Sequence, residues 1–415
     1  MSAVLWESDT RSRCEWGQDM ISSRLCPICS SGNYEVLFHN TIDSFDGSTF
    51  NVDIKVVCCS NCSFVYNDID NTSIDRFYQN ETFYSGESGF GIGGSTPADL
   101  NRYGKYVEIF DSISISKEAA IADVGCAKGG FLAFLKQLGF SSLQGVEIDP
   151  KCAEYACTHY ELNVATGTVD NLPFTDGSRD ILIYNHVLEH LYDPLLALAE
   201  ANRVLSEDGI VFVEVPNAGR YEDGRIFDFY WFCMREHINH FDFPHLTMLM
   251  EAAGFERIYE LQSLMPYNSA SHYPSLCTLF RKSNTVVTEH KANHLDLSNG
   301  VRRYIEIEED FVTTHRCQLS KLVASGRPVY VWGIGLEFFS LYVFSELRKC
   351  NLRYLVDKNP AKQLKTVGGL NITSPECLKF APPDAVVVIT SVFNKEEMLG
   401  HLKSISFAGE IITFD

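Results

Sequence analysis

The 415-residue sequence predicts an α/β fold: a parallel sheet wrapped by helices, with a cysteine-rich module before it and a second, smaller sheet after it. Three observations predict this. From Ala119 onward, short apolar stretches alternate with amphipathic ones, the pattern of repeated strand–helix units. Ahead of them stand two CxxC pairs, and beyond residue 300 the strand–helix alternation begins again.

Composition limits what such a fold can serve. A chain this long exceeds one core, so two or three domains are expected. With 45% hydrophobic and 21% charged residues, it has the makeup of an ordered protein. A formal charge of -20 argues against nucleic acid or an anionic membrane as partner. No apolar window is long enough to span a bilayer. The first residues, "MSAVLWESDTRSRCEWGQDM", lack a basic stretch followed by an apolar one, so they do not read as an export signal and a cytoplasmic location is expected. The fourteen cysteines then read as reduced thiols plus one metal site. Oligomeric state is left open.

The first module is expected over residues 20–75. "CPIC" supplies Cys26 and Cys29, and "CCSNC" supplies Cys59 and Cys62, with Cys58 as a spare that the pattern alone could exchange with Cys59. Two turns, each offering two thiolates, make a closed tetrahedral site, with structural zinc as the default ion. The alternating "FNVDIKVVCC" between the pairs predicts a hairpin. The stretch "RFYQNETFYSGESGFGIGGSTPADL" follows, aromatic and glycine-rich. It reads as a lid or substrate loop, with Tyr78 and Tyr84 either facing a cleft or anchoring the loop.

The central domain is expected over 76–282. "AAIADVGCAKGGFLAFLKQLG" is a strand, a glycine turn at Gly125 and Gly129, and a helix. "SSLQGVEIDPKCAEYA" is the next unit, its strand ending in Glu147, where an acid receives ribose hydroxyls. "DILIYN" and "GIVFVEVPN" give two further strands. Ligands of such sheets lie beyond the carboxyl ends of the strands, where Gly125, Glu147, Asp170, Asn185 and Asn217 fall. "GCAKGG" has Ala127 where a dinucleotide fingerprint wants its second glycine, which favours S-adenosylmethionine over NAD.

These motifs resemble the seven-stranded, class I Rossmann-like methyltransferases that use S-adenosylmethionine. "DVGCAKGGFL", "GVEIDP", "TVDNLPF", "DILIYNHVLEHLYDP" and "LSEDGIVFVEVPN" match their successive segments. The resemblance implies that Gly125, Ala127 and Gly129 border the methionine part. It also implies that Glu147 and Ile148 meet the ribose end, that Asp170 and Asn171 lie near adenine, and that Asn185 completes the site.

A patternless connector, "NTVVTEHKANHLDLSNG", precedes a helix over "VRRYIEIEEDFVTTHRCQLSKLVASG". "PVYVWGIG", "LRYLVDKNP", "DAVVVITS" and "GEIITF" are then strands of a second Rossmann-like domain, expected over 301–415. This part resembles the carboxyl domain of sugar C-methyltransferases, whose order of zinc module, methyltransferase core and nucleotide-like fold matches nearly the whole chain. The sequence departs from that pattern after Gly335: Leu336, Glu337 and Phe338 stand where an alanine, lysine and glycine are usual. An acid there opposes phosphate.

The stretch "FCMREHINHF" follows the fourth core strand. Carbon methylation needs an enolate, hence a base near neutral pH, for which histidine suits. If the stretch is helical, His237 and His240 share a side, and Glu236 orients His237. The resemblance implies His237 as the base, Glu236 as its acid, His190 (with His186 as competitor) and Tyr84 as further catalytic groups. Arg225 and Arg235 are candidates for a phosphate patch. The expected substrate is a nucleotide-linked keto-deoxysugar. An O- or N-methyltransferase, or a scaffold that binds the cofactor without using it, is the alternative.

Overall fold

The computed structural model describes residues 20–21, 24–42, 45–46, 52–70, 93–223, 231–233, 236–266, 272–283, 297–391 and 394–414. Tyr78, Tyr84, Arg225 and Arg235 lie outside the described residues.

The first sheet joins β1 (Met20–Ile21), β2 (Asn33–Ile42), β3 (Val52–Cys59) and β4 (Val65–Asn67), all antiparallel. The β2–β3 pair is the expected hairpin between the two cysteine turns. A later segment of the chain adds a fifth strand, described below.

The core sheet begins with α1 (Pro97–Ser112), which packs across it. Thr96 caps this helix: its hydroxyl accepts from the Asp99 amide while Asp99 accepts from the Thr96 amide, a capping box ahead of a proline at the first turn. Tyr103, Tyr106 and Phe110 recur at helical spacing and are buried against Phe131 and Phe212. Each contributes about 1.5–3 kcal/mol of burial. Next come β5 (Ile121–Val124), α2 (Gly130–Gln137), β6 (Leu143–Glu147), α3 (Pro150–His159), β7 (Val164–Thr166), β8 (Arg179–Asn185), α4 (Pro194–Val204) and β9 (Leu205–Pro216). The helices α3 and α4 start alike, with an aspartate cap (Asp149, Asp193) followed by proline.

Next in the chain, β10 (Asn239–His240) pairs with β4 and so belongs to the first sheet. Residues 236–240 are therefore a turn running into a strand, which corrects the helical reading of "REHINHF". Asn239 and His240 lie opposite Tyr66 and Val65, so His240 is drawn into the first module and away from His237. The helix α5 (Phe243–Ala252) begins only after the Asp242 cap. The strands β11 (Phe255–Pro266) and β12 (His272–Lys282) finish the core sheet, both laid antiparallel to their neighbours.

The order in that sheet is β11-β12-β9-β8-β5-β6-β7. Counted from the first core strand it reads 3-2-1-4-5-7-6, with the seventh strand inserted antiparallel. The sheet is thus mixed rather than parallel throughout, and its topology is that of the class I methyltransferase core.

The helix α6 (Leu297–Ser325) starts four residues before the expected boundary of the last domain. It leads into β13 (Val329–Trp332), α7 (Leu336–Phe344), β14 (Leu352–Val356), β15 (Thr366–Val367), β16 (Leu370–Thr373), β17 (Val386–Ile389), α8 (Lys395–Ser404) and β18 (Glu410–Thr413). Its sheet is parallel except for β15, in the order β15-β16-β14-β13-β17-β18. The β2–β3 module touches this end as well: Phe38 packs on Phe344, Phe45 on Phe339, and Asp46 accepts from the Gly368 and Gly369 amides. No helix among the described residues is long and apolar enough to cross a membrane.

Candidate active site

The glycine turn after β5 has the backbone that the sequence demands. Gly125, Ala127 and Gly129 all have positive φ, at 77°, 46° and 77°. A Cβ on Gly130 would stand 1.9 Å from the Gly94 carbonyl oxygen, so the chain before α1 lies directly on this turn. Glu147 ends β6 and reaches back, one carboxylate oxygen accepting from the Ala127 amide at 2.7 Å, the other from the Asp149 amide at 2.9 Å. Ile148 beside it is 52% exposed, an apolar surface offered to a ligand. Asp170 and Asn171 are exposed on the loop after β7, and Asn185 ends β8, its amide oxygen 3.3 Å from the Tyr106 hydroxyl. Thus the eight residues assigned to the cofactor all fall at the carboxyl ends of β5, β6, β7 and β8.

The charge of this cradle tests the cofactor. Asp123 is fully buried, and burial followed by the neighbouring Glu147 carboxylate pushes it up to about 8. Its Oδ1 has no hydrogen-bond partner among the described residues. Burial also raises Glu147. The Glu147 carboxyl at the end of β6, bonded by the Ala127 and Asp149 amides, suits a ligand that presents ribose hydroxyls and opposes a pyrophosphate. The residues fit S-adenosylmethionine.

The four cysteines Cys26, Cys29, Cys59 and Cys62 converge, with sulfurs 3.6 Å apart for Cys26–Cys62 and 3.5 Å for Cys29–Cys59. Four thiolates about 2.3 Å from one ion stand about 3.8 Å apart, so this cluster is close to the tetrahedral spacing of zinc. The alternation of β3 settles the Cys58–Cys59 ambiguity: Cys59 faces the cluster, whereas buried Cys58 faces away and burial pushes it up to about 11.

Over the ends of β8 and β9 lies a second cluster. Glu189 and His190 belong to the turn Leu188–His190, and His237 comes from the strap before β10. One ligand-capable atom from each of Glu189, His190 and His237 falls within 4.8 Å of the others. The two imidazole rings meet edge to face at 4.9 Å. His190 Nδ1 donates to the Glu236 carbonyl at 2.8 Å, which leaves Nε2 as the basic nitrogen of that ring. Burial first, then the neighbouring histidines, lowers His237 well below the usual range, so it is neutral at pH 7. Glu236 is buried beside it; its backbone carbonyl is what positions His190. His240 is elsewhere: it accepts from the Tyr221 hydroxyl at 3.0 Å, donates to Asn67 at 3.1 Å, and burial holds it at about 3.

Sequence reasoning missed Glu189, the carboxylate set against these rings. The signal was present in "HVLEH", an acid between two histidines, but its burial depends on the strap folding over it. In the last sheet, a Glu337 carboxylate oxygen lies 3.0 Å from where a Cβ on Gly335 would stand, and burial raises this acid. The glutamate therefore occupies the turn at which a nucleotide phosphate would approach.

Residues 101–260 match the family model described as a methyltransferase domain. With this match and the strand order, the core is a class I methyltransferase fold. A "probable S-adenosylmethionine-dependent methyltransferase" of Mycolicibacterium smegmatis is 28% identical over 137 residues, 33% of this chain and 51% of that one. The malonyl-[acyl-carrier protein] O-methyltransferase of Hahella chejuensis is 33% identical over 105 residues, 23% of this chain and 37% of that one. The chain thus spans about half or less of the length of these curated relatives. Among solved structures, a 1,6-didemethyltoxoflavin-N1-methyltransferase of Burkholderia thailandensis is 16% identical with a TM-score of 0.40, covering 54% of this chain and 98% of that one.

Proposed function

We propose that this protein is an S-adenosylmethionine-dependent methyltransferase that alkylates the carbon beside the ketone of a small nucleotide-linked keto-deoxysugar, with zinc as a structural ion on the four cysteines. The reading is carried by one observation: a buried His237 stands with His190 and Glu189 over the strand ends that form the cofactor cradle. Bound in that cradle, S-adenosylmethionine supplies an electrophilic methyl on a sulfonium, a leaving group that needs no acid. The chain's own work is then to make and align the nucleophile. His237 takes the proton beside the ketone, and His190 Nε2 and Glu189 hold the charge that develops around it. The glycine turn and Glu147 hold the cofactor end, and the strap 236–240 closes over the base and excludes water. The proposed compartment is the cytoplasm.

His237→Ala, assayed with labelled cofactor against uridine- and thymidine-diphosphate keto-deoxysugars, is expected to lose about 10²–10⁴-fold in methyl transfer. Its cofactor affinity should stay within about twofold. The labelled carbon, located by NMR, identifies the acceptor atom. Turnover near that of the parent would refute the base. Label on oxygen or nitrogen would favour the O- or N-methyltransferase reading, to which the Hahella relative's name points.

A further inference from the structure

Methyl transfer from a sulfonium to a C–H carbon turns a cation and a neutral acceptor into two neutral products and one proton. On the reading above, that proton arrives at His237, which is only 6% exposed. The structure holds a chain of groups that can receive it. His186 Nδ1 lies 2.8 Å from Glu189 Oε1, and His186 Nε2 lies 2.8 Å from the Tyr273 hydroxyl. Tyr273 in turn donates to Glu214 Oε1 at 2.8 Å, as does Ser275. Tyr106 donates to the other Glu214 oxygen. Glu189, Glu214 and Tyr273 are buried to 1% exposure or less.

Counting protons along this chain gives its capacity. Three hydrogen bonds link the four groups and need three protons. With both carboxylates ionised and the imidazole neutral, Tyr273 and His186 supply two. One more proton completes the chain, and it has three places to reside: Glu189, His186 or Glu214. Each arrangement differs from the next by hops within hydrogen bonds already formed. We infer that Glu189, His186, Tyr273 and Glu214 form a buried proton relay, Glu189 receiving the proton from the histidine base and passing it to the chain. His237 is thereby returned neutral for the next turnover, and the proton leaves through the His186 side chain, 26% exposed, when one of its two ring hydrogen bonds opens to solvent.

Two further observations agree. His186 is a non-glycine residue at φ 53°, a costly backbone that is held here by both ring nitrogens and by its own amide on the Glu214 carbonyl. Glu189 Oε2 is buried without a hydrogen-bond partner among the described residues, an acceptor left over at the end of the chain that meets His190 and His237. The titratable groups facing the Glu189 end are His190, His237 and Tyr221. Those facing the Glu214 end are Arg102, Lys105 and Tyr106 from α1, with Cys277 from β12. Burial lowers His186 and raises Glu214, each away from its charged form.

The test uses the 415-residue chain with Glu189→Gln, Glu189→Asp and Tyr273→Phe. Histidine resonances are titrated by NMR without substrate, and pH–rate profiles are measured with the keto-deoxysugar panel. Tyr273→Phe cuts the chain without touching the base. It should move the His186 titration by about one unit or more and lower turnover about tenfold. Glu189→Gln removes the charge that favours imidazolium, so the acid limb of the profile should move down by about one unit while turnover falls about 100-fold. Glu189→Asp should restore part of it. Unchanged His186 titration in both Tyr273→Phe and Glu189→Gln would overturn the relay. So would a second bound metal, beyond one per chain, that disappears in Glu189→Gln. The inference rests on the carbon-methylation reading for its purpose, but the substrate-free titration decides it even where no sugar on the panel reacts.

Discussion

Arg24 offers the sharpest prediction, because its surroundings allow the cost of its loss to be worked out. It is 2% exposed and sits two residues before the first metal-site cysteine. Its guanidinium donates to the Ile238, Leu191 and Tyr192 carbonyls and to Asn239 Oδ1, at 3.0, 3.2, 2.7 and 2.8 Å, with a longer contact to the Asn67 carbonyl at 3.4 Å. In Arg24→Met two of these acceptors keep another donor: Ile238 has the Asn67 amide, and Leu191 has the Asn239 side chain. Tyr192 O and Asn239 Oδ1 lose theirs. A buried acceptor left unsatisfied costs about 1–3 kcal/mol, so two cost about 2–6 kcal/mol. Part is returned because the guanidinium, whose pKa burial lowers to about 10, no longer has to be desolvated. A net loss of about 3 kcal/mol is expected in urea unfolding. Because the acceptors lie on the His190 turn and the His237 strap, turnover should fall about tenfold while cofactor affinity, set at the β5 and β6 ends, stays within about twofold. A loss under about 1 kcal/mol with normal turnover would refute the assignment of Arg24 as the clamp between the first module and the strap.

Two further predictions follow from burial and register. Cys59→Ser should abolish stoichiometric zinc, whereas Cys58→Ser, one residue away on the opposite face of β3, should keep about one ion per chain; elemental analysis of the purified variants decides between them, and the reverse result would refute the register. Asp123 in the unfolded chain ionises near pH 4, but in the folded state it keeps its proton to about 8. Over that window the unfolded state releases its proton first, so stability falls as pH rises, by about 1.4 kcal/mol per unit and about 6 kcal/mol at most. Asp123→Asn should flatten urea stability between pH 5 and 8; a slope equal to that of the parent would refute a buried neutral carboxyl.

What the sequence made legible was local. The cysteine turns, the strand–glycine–helix unit at Gly125–Gly129 and the acid at the end of β6 each consist of neighbouring residues whose backbone needs are written in their types. What it concealed was assembled from distance. The antiparallel pair β11–β12 carries no parallel strand–helix signature, and β12 enters the sheet beside β9 only because its apolar face completes that edge. The strap at 236–240 has histidines at helical spacing, yet its strand pairing comes from β4, more than 170 residues earlier. Glu189 escaped notice for the same reason: nothing in "HVLEH" says that a segment almost 50 residues later will bury it. Helical periodicity was a weaker force there than the unpaired edge of the first sheet.

That edge also explains why the chain places the four-cysteine module ahead of the core. A strap of a few residues cannot hold two imidazoles in register by itself, since each ordered residue costs about 1–2 kcal/mol of backbone entropy. Here the first module supplies the restraint. The Asn67 amide donates to the Ile238 carbonyl, Asn67 Oδ1 accepts from His240, and His245 donates to the carbonyl of Cys62, itself one of the four clustered cysteines. From the other side, the Ile238 amide donates to the Glu189 carbonyl, tying the strap to the turn that carries His190. His237 is thus fixed between a strand of the first sheet and a turn of the core, and neither sheet alone would place it. An ion with no open position would run no reaction there, but by holding Cys62 and its neighbours it would fix the geometry of His237, the proposed base.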